Sequence, residues 1–439
     1  MIRLFRQRRT LVLIWAAMLL CMTLRPVLGS LFAIVAMLLF LAAAVLLPIQ
    51  QLYVLLFAIM PYANIFKLSP NTTSLFTVAE FAVLALVIVR LKKSNKGFFF
   101  GILGLLLYML LVPGESFSLL IVLKTVLGLG LFYGFCQIVQ KRDLVAIGYL
   151  LAVTTILMML LSASDTYHAL IEEYLYKTDI HYDSSMGQVT KLLRSGGFLG
   201  DANFCSLLII VTMSLLSLMY YYKEIGADFW LFFAALGVAG LYTYSKSYFL
   251  CVSALCVFLL VFVIYPKSKL LTVGCLLAFG ALAAVAFSGR IEAVNVVLRR
   301  FLEGDLTTGR MELNRQYIAY IFSNPKQLLL GASISATPFD GMSHMVHNVL
   351  IELLYRLGVL GSILYVACLM ACMKKHGGHY AAKGRRWANY LPLAFVLVMC
   401  SFLPALIDYT FVFHMMIAYA GVHFHALPEE KECKKAIVV

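Results

Sequence analysis

Between Gly289 and Val346 the chain carries one long polar stretch that leads straight into His347-Asn348. Counted through His347, it holds Arg290, Arg299, Arg300, Arg310, Arg315, Lys326, His344 and His347, against Glu292, Glu303, Asp305, Glu312 and Asp340. Arginine grips phosphate oxygens with a planar fork that does not titrate, and histidine takes and gives protons near neutral pH. A basic segment beside apolar runs suits an anionic substrate whose tail stays in a membrane. Two further cations stand at the edges of apolar runs: Arg194, ahead of Ser195-Gly196-Gly197, and Lys246, within Tyr242-Thr243-Tyr244-Ser245-Lys246-Ser247-Tyr248. Lys246 either snorkels to the surface or, among these hydroxyls and tyrosines, completes a phosphate site. Solvated loop charge is the plain alternative for all these residues, so the elements that position them matter.

Those elements are membrane helices. Hydrophobic residues make up 62% of 439 and charged residues 13%, with a mean hydropathy of +0.92, far outside the soluble globular range. Runs such as Leu11–Leu24, Leu119–Val139, Leu144–Leu161, Phe204–Tyr221 and Val349–Met373 are of spanning length or close to it. Inside a bilayer every backbone polar group must bond within its own segment, so these runs predict helices and an all-α polytopic fold. Arg3, Arg6, Arg8 and Arg9 precede the first run as in a signal peptide. No small-residue cleavage site follows, and the run is expected to be a retained first helix. Most of the ten cysteines sit inside apolar runs without CxxC or Cys/His spacing, which predicts packing thiols rather than metal ligands.

Basic clusters at Arg3–Arg9, Arg90–Lys96, Lys141–Arg142, Lys223, Lys267–Lys269, Lys374–Arg386 and Lys431–Lys435 predict which loops stay in the cytoplasm. Placing all of them inside gives about 14 spans with both termini cytoplasmic, with 12 as the alternative because Pro48 and Pro61 make the second and third spans hard to delimit. Two large loops then lie outside, 162–200 and 289–345, on a single integral-membrane domain of residues 1–439. The net charge of +14 is mostly this positive-inside signature and gives no reason to expect nucleic acid. Positive charge in the second external loop runs against the topological trend and needs another cause. The first loop begins amphipathically (Tyr167, Leu170, Ile171, Tyr174, Leu175), which predicts a short interfacial helix. Its end, Ser195-Gly196-Gly197-Phe198-Leu199-Gly200-Asp201-Ala202-Asn203, offers paired glycines for close backbone approach and Asp201 or Asn203 as a helix cap.

Arg194 followed by Gly-Gly-Phe and Asn203 resembles the arginine-glycine-phenylalanine signature of the O-antigen ligase and O-antigen polymerase superfamily. Ser245-Lys246-Ser247 is similar to that family's serine-arginine-glycine step, with lysine in place of arginine. Thr307-Thr308-Gly309-Arg310, then Tyr317, Asn324-Pro325 and Leu330-Gly331, resembles its glycine-arginine segment and asparagine-proline-glycine continuation. His347-Asn348, then Glu352, Tyr355, Gly358 and Gly361, resembles its histidine-asparagine helix start. The matches are collinear over about residues 190–370, and the N-terminal spans match only in hydropathy.

The resemblance implies a glycosyltransferase C-like enzyme of the inner (cytoplasmic) bacterial membrane with its active site on the external face. Such enzymes move a glycan from undecaprenyl diphosphate to an acceptor hydroxyl, without cofactor or metal. Carried over by position, Arg194, Arg310 and His347 are the catalytic core. Asn203, Lys246, Arg290, Arg315, His344 and Asn348 are expected to bind substrate around them. A chain-length regulator and a flippase are the implied protein partners. General chemistry agrees, because two arginines can compensate a departing diphosphate as a metal does elsewhere, and a histidine suits the acceptor proton. No Asp-x-Asp or comparable carboxylate cluster stands on the external side to hold a metal. The acceptor is either another lipid-linked repeat unit, as in a polymerase of O-antigen, capsule or exopolysaccharide, or lipid A core, as in a ligase of lipopolysaccharide assembly. The polymerase is preferred. A lipid-linked oligosaccharide flippase would show two related halves and short loops, and neither is evident.

Overall fold

The computed structural model describes residues 8–70, 72–90, 96–112, 117–175, 180–182, 191–193, 195–287, 309–342, 344–373, 387–406 and 409–427. By its internal contacts the chain divides into two compact units. The first comprises Met1–Ala43, Phe57–Phe76 and Val145–Thr308; the second, Ala44–Leu56, Thr77–Leu144 and Gly309–Val439.

Helices follow the apolar runs in order: α1 (Arg9–Leu28), α2 (Leu31–Leu46), α3 (Ile49–Ile59), α4 (Leu75–Arg90), α5 (Lys96–Leu111), α6 (Leu119–Ile138), α7 (Lys141–Ser162) and the short α8 (Asp165–Ile171). Then come α9 (Ala202–Tyr221), α10 (Phe229–Leu241), α11 (Lys246–Leu259), α12 (Lys269–Phe287), α13 (Arg310–Ser323), α14 (Pro325–Leu330), α15 (Val349–Met373), α16 (Leu391–Cys400) and α17 (Tyr409–Val422). Six of the helices described are long and apolar enough to cross a membrane: α1, α6, α7, α9, α11 with its continuation to Ile264, and α15. The protein is therefore a helical membrane protein. Seven further apolar helices are shorter, at 10–17 residues. Pro48 precedes α3 and Pro61 turns its end into a 3-10 turn over Met60–Tyr62, which fixes the boundaries that the sequence leaves blurred. The all-α expectation needs one amendment. Ile180–Tyr182 (β1) and Lys191–Leu193 (β2) pair antiparallel, because backbone groups in a loop still need hydrogen-bond partners.

In the first unit α9 is the central helix, buried along almost its whole length. Its hydroxyls bond back to its own carbonyls, Ser206 to Ala202, Thr212 to Leu208 and Ser217 to Met213, so no polar group is stranded among apolar neighbours. Trp15 of α1 donates to Thr154 of α7 at 3.2 Å. In the second unit α15 packs against α5, α6 and α14, and α17 against α6 and α16. Of the nine described cysteines six are buried, while Cys21, Cys256 and Cys275 are half-buried.

The long helix α15 is broken at Gly358, whose φ of 59° is not helical. The break frees the carbonyls of Tyr355 and Arg356. Ala332 and Ser333 donate their backbone N–H groups to these two, at 2.8 and 2.9 Å. A Cβ at Gly331 would lie 2.5 Å from Gly358 N, and one at Gly358 would lie 2.5 Å from Gly331 N. Only glycine allows two backbones this close with positive φ on both sides. Gly358→Ala is expected to lower the unfolding temperature of the detergent-solubilised protein well beyond Gly341→Ala. Gly341 also has positive φ but open space around it, so alanine there meets only the backbone strain, about 1–3 kcal/mol. Equal losses for the two variants would show that the close approach contributes nothing.

Candidate functional site

The second unit carries Arg310, Arg315, His344, His347 and Asn348. Gly309, with φ 75°, turns the chain into α13, and Arg310 is the first residue of that helix. Arg315, one and a half turns on, is highly exposed and lies 3.8 Å from Glu312, which also faces solvent. Such an exposed pair contributes little stability and leaves Arg315 free to reorient. Tyr317 is fully buried from the same helix and donates its hydroxyl to the His344 carbonyl at 3.0 Å. Burial first, and then the neighbouring Tyr355, push the Tyr317 phenol well above its ordinary range, so it serves as a donor at any working pH. Tyr317 also meets Phe339 and Tyr355 edge-on, both at 5.0 Å. The helix that starts with Arg310 is thereby clamped to the segment that ends in His347.

His347 is half-buried immediately before α15. The sequence leaves Asn348 either orienting the histidine ring or capping the helix; the structure shows the cap. Its Oδ1 accepts from the N–H groups of Leu350 and Ile351 at 3.0 and 3.2 Å, and its amide reaches the Ser401 carbonyl at 3.4 Å. His344 presents an exposed side chain, and it is its carbonyl that Tyr317 engages. Asn324-Pro325…Gly331, singled out in the sequence, proves to be a helix signature. Asn324 caps α14, Pro325 is its first residue, and Gly331 ends it with φ 73°.

Below this segment lies a residue that the sequence did not single out. Arg356 donates to Glu352 at 2.8 Å and to the carbonyls of Ile334 and Ala336, both at 2.7 Å. Glu352 in turn accepts from the Leu406 N–H at 3.1 Å. Both side chains are almost fully buried, and removing one member of a buried pair costs about 3–5 kcal/mol. An i,i+4 Glu-Arg spacing inside an apolar helix was the available signal. Beside α13 a cavity of about 440 Å³ is lined by Gln316, Tyr320, Ser323, Phe339 and Asp340.

The first unit holds Asn203 and Lys246. Asp201 caps α9 through Asn203 N and Phe204 N, so of the two capping candidates it is the one used. The Asn203 side chain instead accepts from the Ser245 hydroxyl at 3.2 Å, and Ser245 caps α11, whose first residue is the half-buried Lys246. Asn203 and Lys246 are thus held at adjoining helix starts. Ser195 ties the glycine segment to the same turn, donating its N–H to the Tyr242 carbonyl at 3.0 Å. A Cβ at Gly196 would sit 2.6 Å from Asp201 N, which accounts for the first glycine of the pair. Phe198 packs edge-on against Tyr62 at 4.7 Å and stacks on Tyr167 at 5.7 Å. The amphipathic segment expected at 167–175 forms α8 and a following 3-10 turn over Glu172–Tyr174. It buries Ile171 and stacks Tyr167 on Phe198 rather than only resting on a surface. Arg194 and Arg290, like Thr307 and Thr308, lie outside the described residues.

Among the described residues there is no group of three or more histidine, cysteine, aspartate or glutamate side chains placed to hold a metal. No protein-family model, curated protein or solved structure matches the chain.

Proposed function

We propose that the protein is a membrane glycosyltransferase that polymerises undecaprenyl-diphosphate-linked repeat units of a bacterial surface polysaccharide. The observation that carries it is the scaffold of the second unit, where Tyr317 joins the helix begun by Arg310 to the segment presenting His347. A cation and a base supported on one scaffold are what glycosyl transfer from a lipid diphosphate requires. Arg310 binds the diphosphate oxygens and offsets the charge that grows as the bond from the anomeric carbon to the diphosphate oxygen breaks. His347 takes the proton of the acceptor hydroxyl as that oxygen forms the new bond to the anomeric carbon. Undecaprenyl diphosphate leaves with the bonding electron pair. Arg194, outside the described residues, keeps the part that the resemblance implies.

The cavity beside α13 supports a sugar substrate. Tyr320 and Phe339 stack on each other at 4.2 Å and form one aromatic wall of it for the C–H face of a sugar ring, and Gln316, Ser323 and Asp340 offer partners for its hydroxyls. A glycosyltransferase C-like architecture, a place in the inner membrane, cytoplasmic termini and an external site belong to the same proposal.

The test is a purified, reconstituted preparation given undecaprenyl-diphosphate-linked oligosaccharide. Release of undecaprenyl diphosphate together with lengthening of the remaining lipid-linked glycan is expected. Transfer to lipid A core instead would identify a ligase. Relocation of unchanged substrate across the bilayer would overturn the enzyme assignment in favour of a flippase.

A further inference from the structure

A further cation, just past the first apolar run, has no place in the chemistry above. Arg25 stands in the last turn of α1 and is only 2% exposed. Its guanidinium donates to the Lys67 carbonyl and, at 3.4 Å, to that of Leu68. It also lies over the Tyr174 ring, 3.8 Å from the centroid. The Lys67 ammonium donates to the Tyr174 carbonyl at 3.2 Å. Arg25 thus has neutral partners, and its Nε is buried without any hydrogen bond. Burying a guanidinium is costly unless an opposite charge and full hydrogen bonding offset it.

Beside Arg25 opens a pocket of about 490 Å³ whose wall includes Ala169, Leu170, Glu172, Glu173 and Tyr174. Arg25 supplies a buried positive charge whose Nε lacks a hydrogen-bond partner, whereas Glu172 and Glu173 are exposed. An anion fits the guanidinium; a bare phosphate dianion is disfavoured by the two carboxylates. Carboxylates accept readily from hydroxyl groups. A phosphate diester with a hydroxyl-bearing substituent satisfies both walls, and the apolar Ala169 and Leu170 suit a lipid.

We infer that this pocket binds a lipid headgroup, its phosphate on Arg25 and the hydroxyls of its substituent on Glu172 and Glu173. A lipid-linked glycan and a phospholipid such as phosphatidylglycerol share this chemistry, and only the former assignment rests on the proposed function.

The full chain in detergent is titrated with phosphatidylglycerol, phosphatidic acid and an undecaprenyl-diphosphate-linked monosaccharide, and binding is read by native mass spectrometry. Arg25→Met is expected to weaken binding of the hydroxyl-bearing lipids about tenfold or more, the effect of losing a charge-assisted hydrogen bond. The exposed pair Glu172→Gln, Glu173→Gln is expected to narrow the preference for phosphatidylglycerol over phosphatidic acid severalfold. Wild-type binding by Arg25→Met overturns the site. Should Arg25→Met fail to fold, an unchanged lipid preference in the double glutamine variant overturns it equally. Displacement of phosphatidylglycerol by the undecaprenyl probe supports a donor site; retention of phosphatidylglycerol against that probe supports a phospholipid site. Glycosyl transfer is scored in the same preparations. Transfer by wild type, with lipid binding indifferent to Arg25, removes the pocket and leaves the enzyme; Arg25-dependent binding without transfer does the reverse.

Discussion

His347→Ala is expected to lower glycosyl transfer by about 10²–10⁴-fold, the usual worth of a general base, while binding of the lipid-linked donor survives. The expectation comes from position. His347 is half-buried and directly precedes the capped start of α15. Asn348→Ala separates chemistry from positioning. It removes the cap at a cost of about 1 kcal/mol and loosens the backbone that presents the ring, whereas Asn348→Asp keeps a capping oxygen and should restore transfer. His344→Ala is the comparison: Tyr317 engages the His344 carbonyl rather than its ring, so any loss is expected in substrate binding and to be far smaller than that of His347→Ala. Donor binding and product formation are measured separately for each variant. Normal transfer by His347→Ala, or a defect confined to donor binding, would leave Asp340 as the candidate base.

The sequence made the helices legible because a bilayer permits few alternatives. Runs such as Leu119–Val139 and Phe204–Tyr221 reappear as α6 and α9, shifted by at most a few residues. Caps were legible as residue types but not always as choices. Asp201 and Asn203 both qualify for α9, and only the backbone geometry shows Asp201 accepting the N–H groups while Asn203 turns to Ser245. Similarly, residue type alone admits Asn348 as a partner of the histidine ring or as a cap, and its Oδ1 accepts from Leu350 N and Ile351 N.

Contacts between distant segments were not legible. Gly331 and Gly358 meet backbone to backbone, and each taken singly reads as an ordinary helix breaker. Arg25 looks like a snorkelling residue at the end of a span, because nothing near it in sequence reveals the Lys67 carbonyl or the Tyr174 ring. Arg356 hides in the same way, since its carbonyl partners Ile334 and Ala336 lie beyond a turn. Local pattern determines the elements; partners tens of residues away determine which polar group is structural and which is left for a ligand.

Arg310→Lys is expected to reduce transfer by about 10²–10³-fold, in line with the loss of one preorganised donor to a developing charge. Lysine preserves the positive charge, so a purely long-range electrostatic role would survive the change. The planar fork does not survive it, and with it goes the two-point grip on diphosphate oxygens. Position strengthens the expectation. As the first residue of α13 after the left-handed Gly309, Arg310 adds its charge to a helix N-terminus, where anions are already favoured. Arg315, exposed and 3.8 Å from Glu312, lacks that setting, so Arg315→Lys should cost far less. Under the same proposal, excess EDTA leaves wild-type turnover unchanged, since arginines compensate the diphosphate charge. Near-wild-type turnover by Arg310→Lys would show that charge alone suffices there. A strict divalent requirement would show that the departing diphosphate is held by a metal, with Arg310 at most assisting it.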